Sequence, residues 1–209
     1  DDDGKCFILS CDDPVGPPQY EGHRAIKIQQ YDLAKKEFVG EKTVLVNGGT
    51  DIAKEPIWCE GPHLYKIKGR YYLMCAQGGT SVDHTEVIFR SDSLLGPYVP
   101  WDKNPILSAV GLPADRANPV TCTGHADLVE TQNGEWFAVF LACQPYEGNY
   151  FNTGRQTFML PVTWTDGWPR ILEPDTPVPL TVKNPNLPTG KAASVATTGA
   201  ISFTDHFDS

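Results

Sequence analysis

Apolar positions in this chain come in short bursts rather than long periodic stretches. Residues 5–10, 25–29, 64–67, 70–76, 86–90, 126–130, 135–142 and 157–162 are together rich in Val, Ile, Phe, Tyr and Trp. Gly, Pro, Asn and Asp fall between them, and these are the residues that turn a chain between strands. No stretch holds a 3.6-residue apolar period over three turns, so the pattern predicts an all-β chain. The longest unbroken apolar run, residues 136–143, is eight residues, where a membrane-spanning helix needs about 20.

The bursts repeat. Asp3-Gly4-Lys5-Cys6-Phe7, Lys68-Gly69-Arg70-Tyr71-Tyr72 and Asn133-Gly134-Glu135-Trp136-Phe137 each place a turn glycine before an apolar run. Gly4, Gly69 and Gly134 are spaced 65 and 65 residues apart. Asp-Gly and Asn-Gly supply the positive φ of a tight hairpin. A fourth hairpin signal, Asp166-Gly167-Trp168, follows only 33 residues later. One hairpin per repeating unit of four strands predicts a β-propeller. A length of 209 over a period of 65 gives about 3.2 units, whereas propellers have ~4–8 blades. The chain also opens at Asp1-Asp2-Asp3-Gly4 rather than at Met, and the expectation is that one or two blades precede it. The predicted organisation is a propeller over residues 1–172 and a Pro-rich linker over 173–200. Residues 201–209 read as the first strand of another unit.

Composition narrows the function. Lys and Arg number 17 against 26 Asp and Glu, a net charge of -9. With no basic run, nucleic acid is a poor partner, because affinity there comes mostly from neutralised phosphates. The six cysteines contain no C-x-x-C, which argues against a zinc ribbon or a redox motif. Cys6, Cys75 and Cys143 fall inside apolar runs and read as small buried hydrophobes. The even count permits disulfides without specifying any. The 22 aromatics suit a large β core, a sugar-stacking surface, or both.

Counting nine residues back from Gly69 lands on Glu60, and from Gly134 on His125. Equivalent positions on the inner strands of a propeller gather around its axis, so these two side chains are expected to point into one funnel. Polar groups there need a reason, since apolar side chains would fill the space at lower cost. Taken alone, Glu60 reads most simply as a solvated loop carboxylate and His125 as a hydrogen-bonded structural histidine. Asp127 also reads as structural. Arg155 stands just before a strand predicted to be buried, where a cation is unusual.

Several motifs resemble one family. They are Glu60-Gly61-Pro62-His63-Leu64-Tyr65, Gly69-Arg70-Tyr71-Tyr72-Leu73, Ala76-Gln77-Gly78-Gly79-Thr80, Leu95-Gly96-Pro97-Tyr98, Asn104-Pro105-Ile106-Leu107, Thr123-Gly124-His125-Ala126-Asp127-Leu128-Val129, Gly154-Arg155 and Asp166-Gly167-Trp168-Pro169. In this order they resemble glycoside hydrolase family 43, especially its β-xylosidases and α-L-arabinofuranosidases. The resemblance implies a five-bladed propeller followed by a C-terminal β-sandwich, with this chain covering about three and a half blades.

It also implies inverting hydrolysis of xylo- or arabino-oligosaccharides by a carboxylate pair. A carboxylic acid protonates the leaving oxygen, and a second carboxylate activates water on the opposite face of the sugar. Glu60 matches the general acid and Arg155 the arginine that holds a sugar hydroxyl. His125 matches the central histidine, near which some members carry a hydrated calcium ion. No cofactor is otherwise implied. Gln77 stands where relatives often carry Glu, in contact with sugar hydroxyls. Nothing here matches the base aspartate. The second aspartate, which tunes the acid, would fall just before Asp1, so the base and this tuning residue are expected on a companion N-terminal segment. The alternative is a non-catalytic propeller remnant that binds sugars through Trp58, Trp101 and Tyr146.

Overall fold

The computed structural model describes residues 1–188. Three antiparallel sheets follow one another along the chain. The first contains β1 (Cys6–Asp12), β2 (Ala25–Asp32) and β3 (Glu37–Asn47). A 3₁₀ turn (Ile52–Lys54) leads to the second, which runs β4 (Glu60–Ile67), β5 (Arg70–Gln77), β6 (Thr85–Ser91) and β7 (Val99–Pro100). β8 (Leu107–Ser108) pairs with the start of β6. The third sheet contains β9 (Thr121–Glu130), β10 (Trp136–Cys143) and β11 (Arg155–Pro161). A last hairpin, β12 (Thr163–Thr165) and β13 (Trp168–Arg170), follows.

The chain is therefore all-β, and its sheets pack face to face as propeller blades do. Gly69 and Gly134 sit at φ 81 and 78 in the β4–β5 and β9–β10 turns, and Gly4 holds φ 78 before β1. The repeat read in the sequence thus makes β1, β5 and β10 equivalent strands. β5 and β10 each have an inner neighbour, β4 and β9. β1 pairs only with β2, and among the described residues its other edge is free. A cavity of about 530 Å³ runs along that edge, lined in part by Phe7, Leu9, Leu64, Lys66 and Tyr71.

The second sheet is covered on both sides, which explains its unbroken apolar run. From Tyr71 to Ala76 every residue of β5 is buried. Leu73 and Cys75 face the first sheet, among Ile26, Ile28, Val87 and Phe89. Tyr72 and Met74 face the third, among Ile88, Ala126, Leu128, Ala138 and Phe140. Such a strand loses the alternation that one solvated face would impose. The outer faces of the first and third sheets keep exposed apolar residues, including Ile8, Val39, Val44, Val129 and Val139.

The β12–β13 hairpin is fixed to the second sheet by stacked rings. Trp101 and Trp168 lie parallel at 5.7 Å, with Arg90 over Trp168 at 4.1 Å and Arg170 over Trp101 at 4.3 Å. Arg170 also donates to the carbonyls of Pro105 and Lys103, at 2.7 and 2.9 Å. Trp101 is thereby buried, so it cannot serve as the sugar-stacking surface suggested by its sequence. Residues 173–188 carry no helix or strand, yet Val178 and Val182 pack into the apolar cluster of the third sheet. The strand expected at 201–209 lies outside the described residues. All six cysteines are free thiols.

Candidate active site

Glu60 is the first residue of β4, and His125 lies in the first half of β9. Both inner strands are irregular there. In β4 the register slips between Glu60 and His63, at Gly61, whose φ is 57. The slip releases Glu60 from the pleat at the end of the strand. In β9 the ladder to β10 pairs Val139 with Asp127, Leu141 with Gly124, and Cys143 with Thr121. Two steps on β10 are thus matched by three on β9, twice over, so β9 carries two bulges. Each holds a non-glycine residue in the left-handed region: His125 at φ 48 and Cys122 at φ 58. Such residues cost about 1–3 kcal/mol each and persist only where the surroundings enforce them.

The upper bulge turns the His125 ring toward β4. Its Nε2 comes within 3.7 Å of Glu60 Oε1, with the two side chains 34% and 32% exposed. This is beyond hydrogen-bond reach but close enough for an ion pair when the ring is protonated. Gly61 makes the approach possible, since a Cβ there would stand 2.6 Å from His125 Nδ1. The equivalence of the two positions read from the repeat is a contact in the folded chain.

β6 supports this wall. His84, just before the strand, is 2% exposed, and its Nδ1 lies 3.1 Å from the Cys122 carbonyl. A carbonyl only accepts, so Nδ1 carries the hydrogen. Burial, with the nearby His125 and Arg155 charges, holds the His84 imidazole below its usual range, despite the bond to Cys122. Glu86 is fully buried, and its Oε2 accepts from the Ala126 amide at 3.0 Å. Burial pushes its carboxyl well above the ordinary range, against the pull of that bond. His84 Nε2 and Glu86 Oε1 have no partner among the described residues.

The other candidates are more dispersed. Trp58, two residues before Glu60, is 42% exposed at φ 46, and its amide donates to Gly22. Gln77 ends β5 and turns away to a loop, its Oε1 accepting from the Thr50 amide at 3.1 Å. Arg155 begins β11 opposite Cys143, exposed and without an ion pair among the described residues. Neither makes a hydrogen bond with the Glu60–His125 pair. Asp127 bonds the Tyr65 hydroxyl and lies 3.5 Å from His63 Nδ1, tying β9 to β4. Tyr146 is exposed on the loop after β10.

A calcium ion takes about 6–8 oxygen ligands. Among the described residues no three His, Cys, Asp or Glu side chains gather into such a set. One imidazole and one carboxylate do not make a calcium site by themselves.

His84 and Glu86 escaped the sequence reading. A signal was present: Glu86 directly precedes Val87-Ile88-Phe89 and shares the face of Ile88, where a core side chain would be expected.

The model for glycosyl hydrolases family 43 matches residues 1–169. The chain is 40% identical over 171 residues to a xylosidase/arabinosidase of Butyrivibrio fibrisolvens, covering 82% of this chain and 32% of that protein. It is 49% identical over 130 residues to a non-reducing end α-L-arabinofuranosidase of Bacteroides ovatus, covering 62% and 24%. Among solved structures it resembles a xylan β-1,4-xylosidase from Bacillus halodurans with a TM-score of 0.76 and 38% identity, covering 91% of this chain and 35% of that one. A GH43_12 protein from a capybara gut metagenome gives a TM-score of 0.74 and 49% identity, covering 82% and 31%. The chain spans about a third of the length of most of the curated relatives it matches.

Proposed function

The chain belongs to the glycosyl hydrolases family 43, and from that premise we propose that it forms part of an enzyme that hydrolyses β-xylosidic or α-L-arabinofuranosidic bonds, with Glu60 as general acid. The observation that carries this reading is the Glu60–His125 contact at 3.7 Å. It brings a carboxyl group to an open wall of inner strands, beside an imidazole. In this reading Glu60 donates its proton to the leaving oxygen while a carboxylate across the sugar draws a proton from water. The product sugar then leaves with inverted configuration. Arg155 holds a sugar hydroxyl, Trp58 offers a ring face, and Gln77 shapes the pocket through the loop at Thr50.

The reading places the base carboxylate outside these 209 residues. The free edge of β1 supports it, because a further inner strand beside β1 would bring a third residue to the wall that carries Glu60 and His125. The complete ring would have five blades and would be followed by a β-sandwich. Trp58 and Tyr146, both exposed, favour the second reading, a module that binds sugars without cleaving them.

The test is hydrolysis of aryl β-D-xyloside and aryl α-L-arabinofuranoside, with the product anomer followed by NMR. It uses this chain alone and a longer protein that carries it. The longer protein should turn over and release the inverted sugar, and Glu60→Gln should lower kcat by about 10²–10⁴-fold. The chain alone should show little turnover. Hydrolysis indifferent to Glu60→Gln would remove Glu60 from its role. Saturable binding without cleavage in the longer protein would favour the binding module.

A further inference from the structure

The two bulges of β9 displace backbone groups from the ladder to β10, and both find side chains from one short stretch. The Ala126 amide, next to His125, reaches Glu86 Oε2 at 3.0 Å. The Cys122 carbonyl, in the second bulge, reaches His84 Nδ1 at 3.1 Å. His84 and Glu86 are two residues apart and face the third sheet, and both are at least nine-tenths buried. Gly124 lies between the two bends, and a Cβ there would stand 2.5 Å from the His84 ring. The missing side chain is what admits His84. At the next step up, missing bulk at Gly61 admits the ring of His125.

A buried carboxyl that accepts from the backbone through one oxygen, and whose other oxygen has no partner among the described residues, is a poor way to stabilise an apolar interface. Leucine would pack there at lower cost, as Ile88 does on the same face. What a carboxyl provides and leucine cannot is an acceptor for the Ala126 amide. That amide adjoins the residue held at φ 48, and the bend at that residue aims the imidazole at Glu60.

We propose that Glu86 is a positioning residue for the candidate active site: by accepting from the Ala126 amide, it holds the left-handed bend that aims His125 at Glu60. It touches neither substrate nor the reacting atoms. The consequence for catalysis rests on the proposed function of Glu60. The consequence for His125 does not.

The decisive readout is therefore geometric. In the 209-residue chain, the nuclear Overhauser contact between His125 Hε1 and Gly61 Hα reports the aimed ring. It should be present in the wild type and in Glu86→Gln, whose amide oxygen still accepts. It should weaken at least fivefold in Glu86→Leu, while contacts among Met74, Ile88 and Phe140 persist. An undiminished His125–Gly61 contact in Glu86→Leu overturns the proposal. If that variant does not fold, exchange of the Ala126 amide in the wild type decides. Protection comparable to mid-strand amides supports the bond, and loop-like exchange overturns the proposal. In the longer, active protein Glu86→Leu should lower kcat at least tenfold with KM within twofold, and Glu86→Gln should restore it. If Glu60→Gln leaves hydrolysis intact, the proposed function falls, while the Overhauser contact still decides the role of Glu86.

Discussion

Phe89 and Ile88 are neighbours on β6, yet they belong to different interfaces. Phe89 and Val87 point at the first sheet and meet Ile26, Ile28, Leu73 and Cys75, with no charged side chain among them. The alternate residues point at the third sheet and form a graded series. Arg90 stacks on Trp168 at one end, Ile88 sits in the apolar core, and Glu86 and His84 bond the bulged backbone of β9 at the other. A strand's two faces are independent because its side chains alternate. The first face can therefore be selected for packing alone. The second carries packing at its middle and shapes the candidate site at one end. The contrast teaches where to look for supporting residues: on the face that mixes polar groups into a buried register.

The largest effect should come from the plain interface. Phe89→Ala removes a ring that is 1% exposed, and truncations of this kind cost about 3–5 kcal/mol. For a chain of this size that lowers Tm by roughly 10 °C, measurable by calorimetry. The Glu60–His125 contact should survive, because the apolar cluster around Phe89 contains no residue of β9. A Phe89→Ala protein that stayed folded but lost the His125–Gly61 contact would show that the two faces are coupled.

Two glycines sharpen the contrast within the mixed interface. Gly124→Ala sets a methyl group 2.5 Å from the ring of buried His84, with no room to retreat. Overpacking of this sort costs about 1–3 kcal/mol, and the expected result is a lower Tm. Gly61→Ala meets the ring of His125, which is partly exposed and can swing away. Its left-handed φ adds roughly 1–2 kcal/mol. Here the stability loss should be the smaller of the two, but hydrolysis by the longer protein should fall at least tenfold. Equal losses of activity at both glycines would argue that the His125 ring has no privileged position.

The same two faces explain what was legible in the sequence. Gly4, Gly69 and Gly134 announced the repeat because a tight hairpin needs positive φ, and all three have it. The run from Tyr71 to Ala76 announced a strand because both of its faces are buried. β3 gave no such signal. Glu37, Gly40, Glu41 and Lys42 lie on an exposed outer strand, held by backbone pairing with β2 rather than by burial. β9 was expected to begin near Ala126 and begins at Thr121. Its bulges break the alternation on which a strand reading depends. Glu60 and His125 could be paired by counting from turn glycines. His84 and Glu86 could not, since their task is to satisfy backbone groups displaced by bulges; the one mark in the sequence is the charge of Glu86 on the face of Ile88.

The smallest effect, and the most specific, concerns the cost of the polar face. Burial holds the Glu86 carboxyl well above its ordinary value of 4.5. Below that value both folded and unfolded chains are protonated at Glu86, and its titration does not affect folding. As pH rises past it, the unfolded chain releases this proton while the folded chain retains it. The unfolded state then binds fewer protons, so stability must fall with rising pH until the folded carboxyl also ionises. Glu86→Gln cannot titrate and keeps an acceptor for the Ala126 amide. The difference in Tm between Glu86→Gln and wild type should therefore be near constant at pH 3–4, and should move in favour of the variant between pH 5 and 7. Asp12, whose carboxyl is lowered chiefly by its bond to Lys42, loses its contribution as pH falls. It does so equally in both proteins and cancels in the difference. A difference that stayed flat to pH 7 would mean that Glu86 ionises in the folded chain as it does in the unfolded one, and that the mixed interface carries no such penalty.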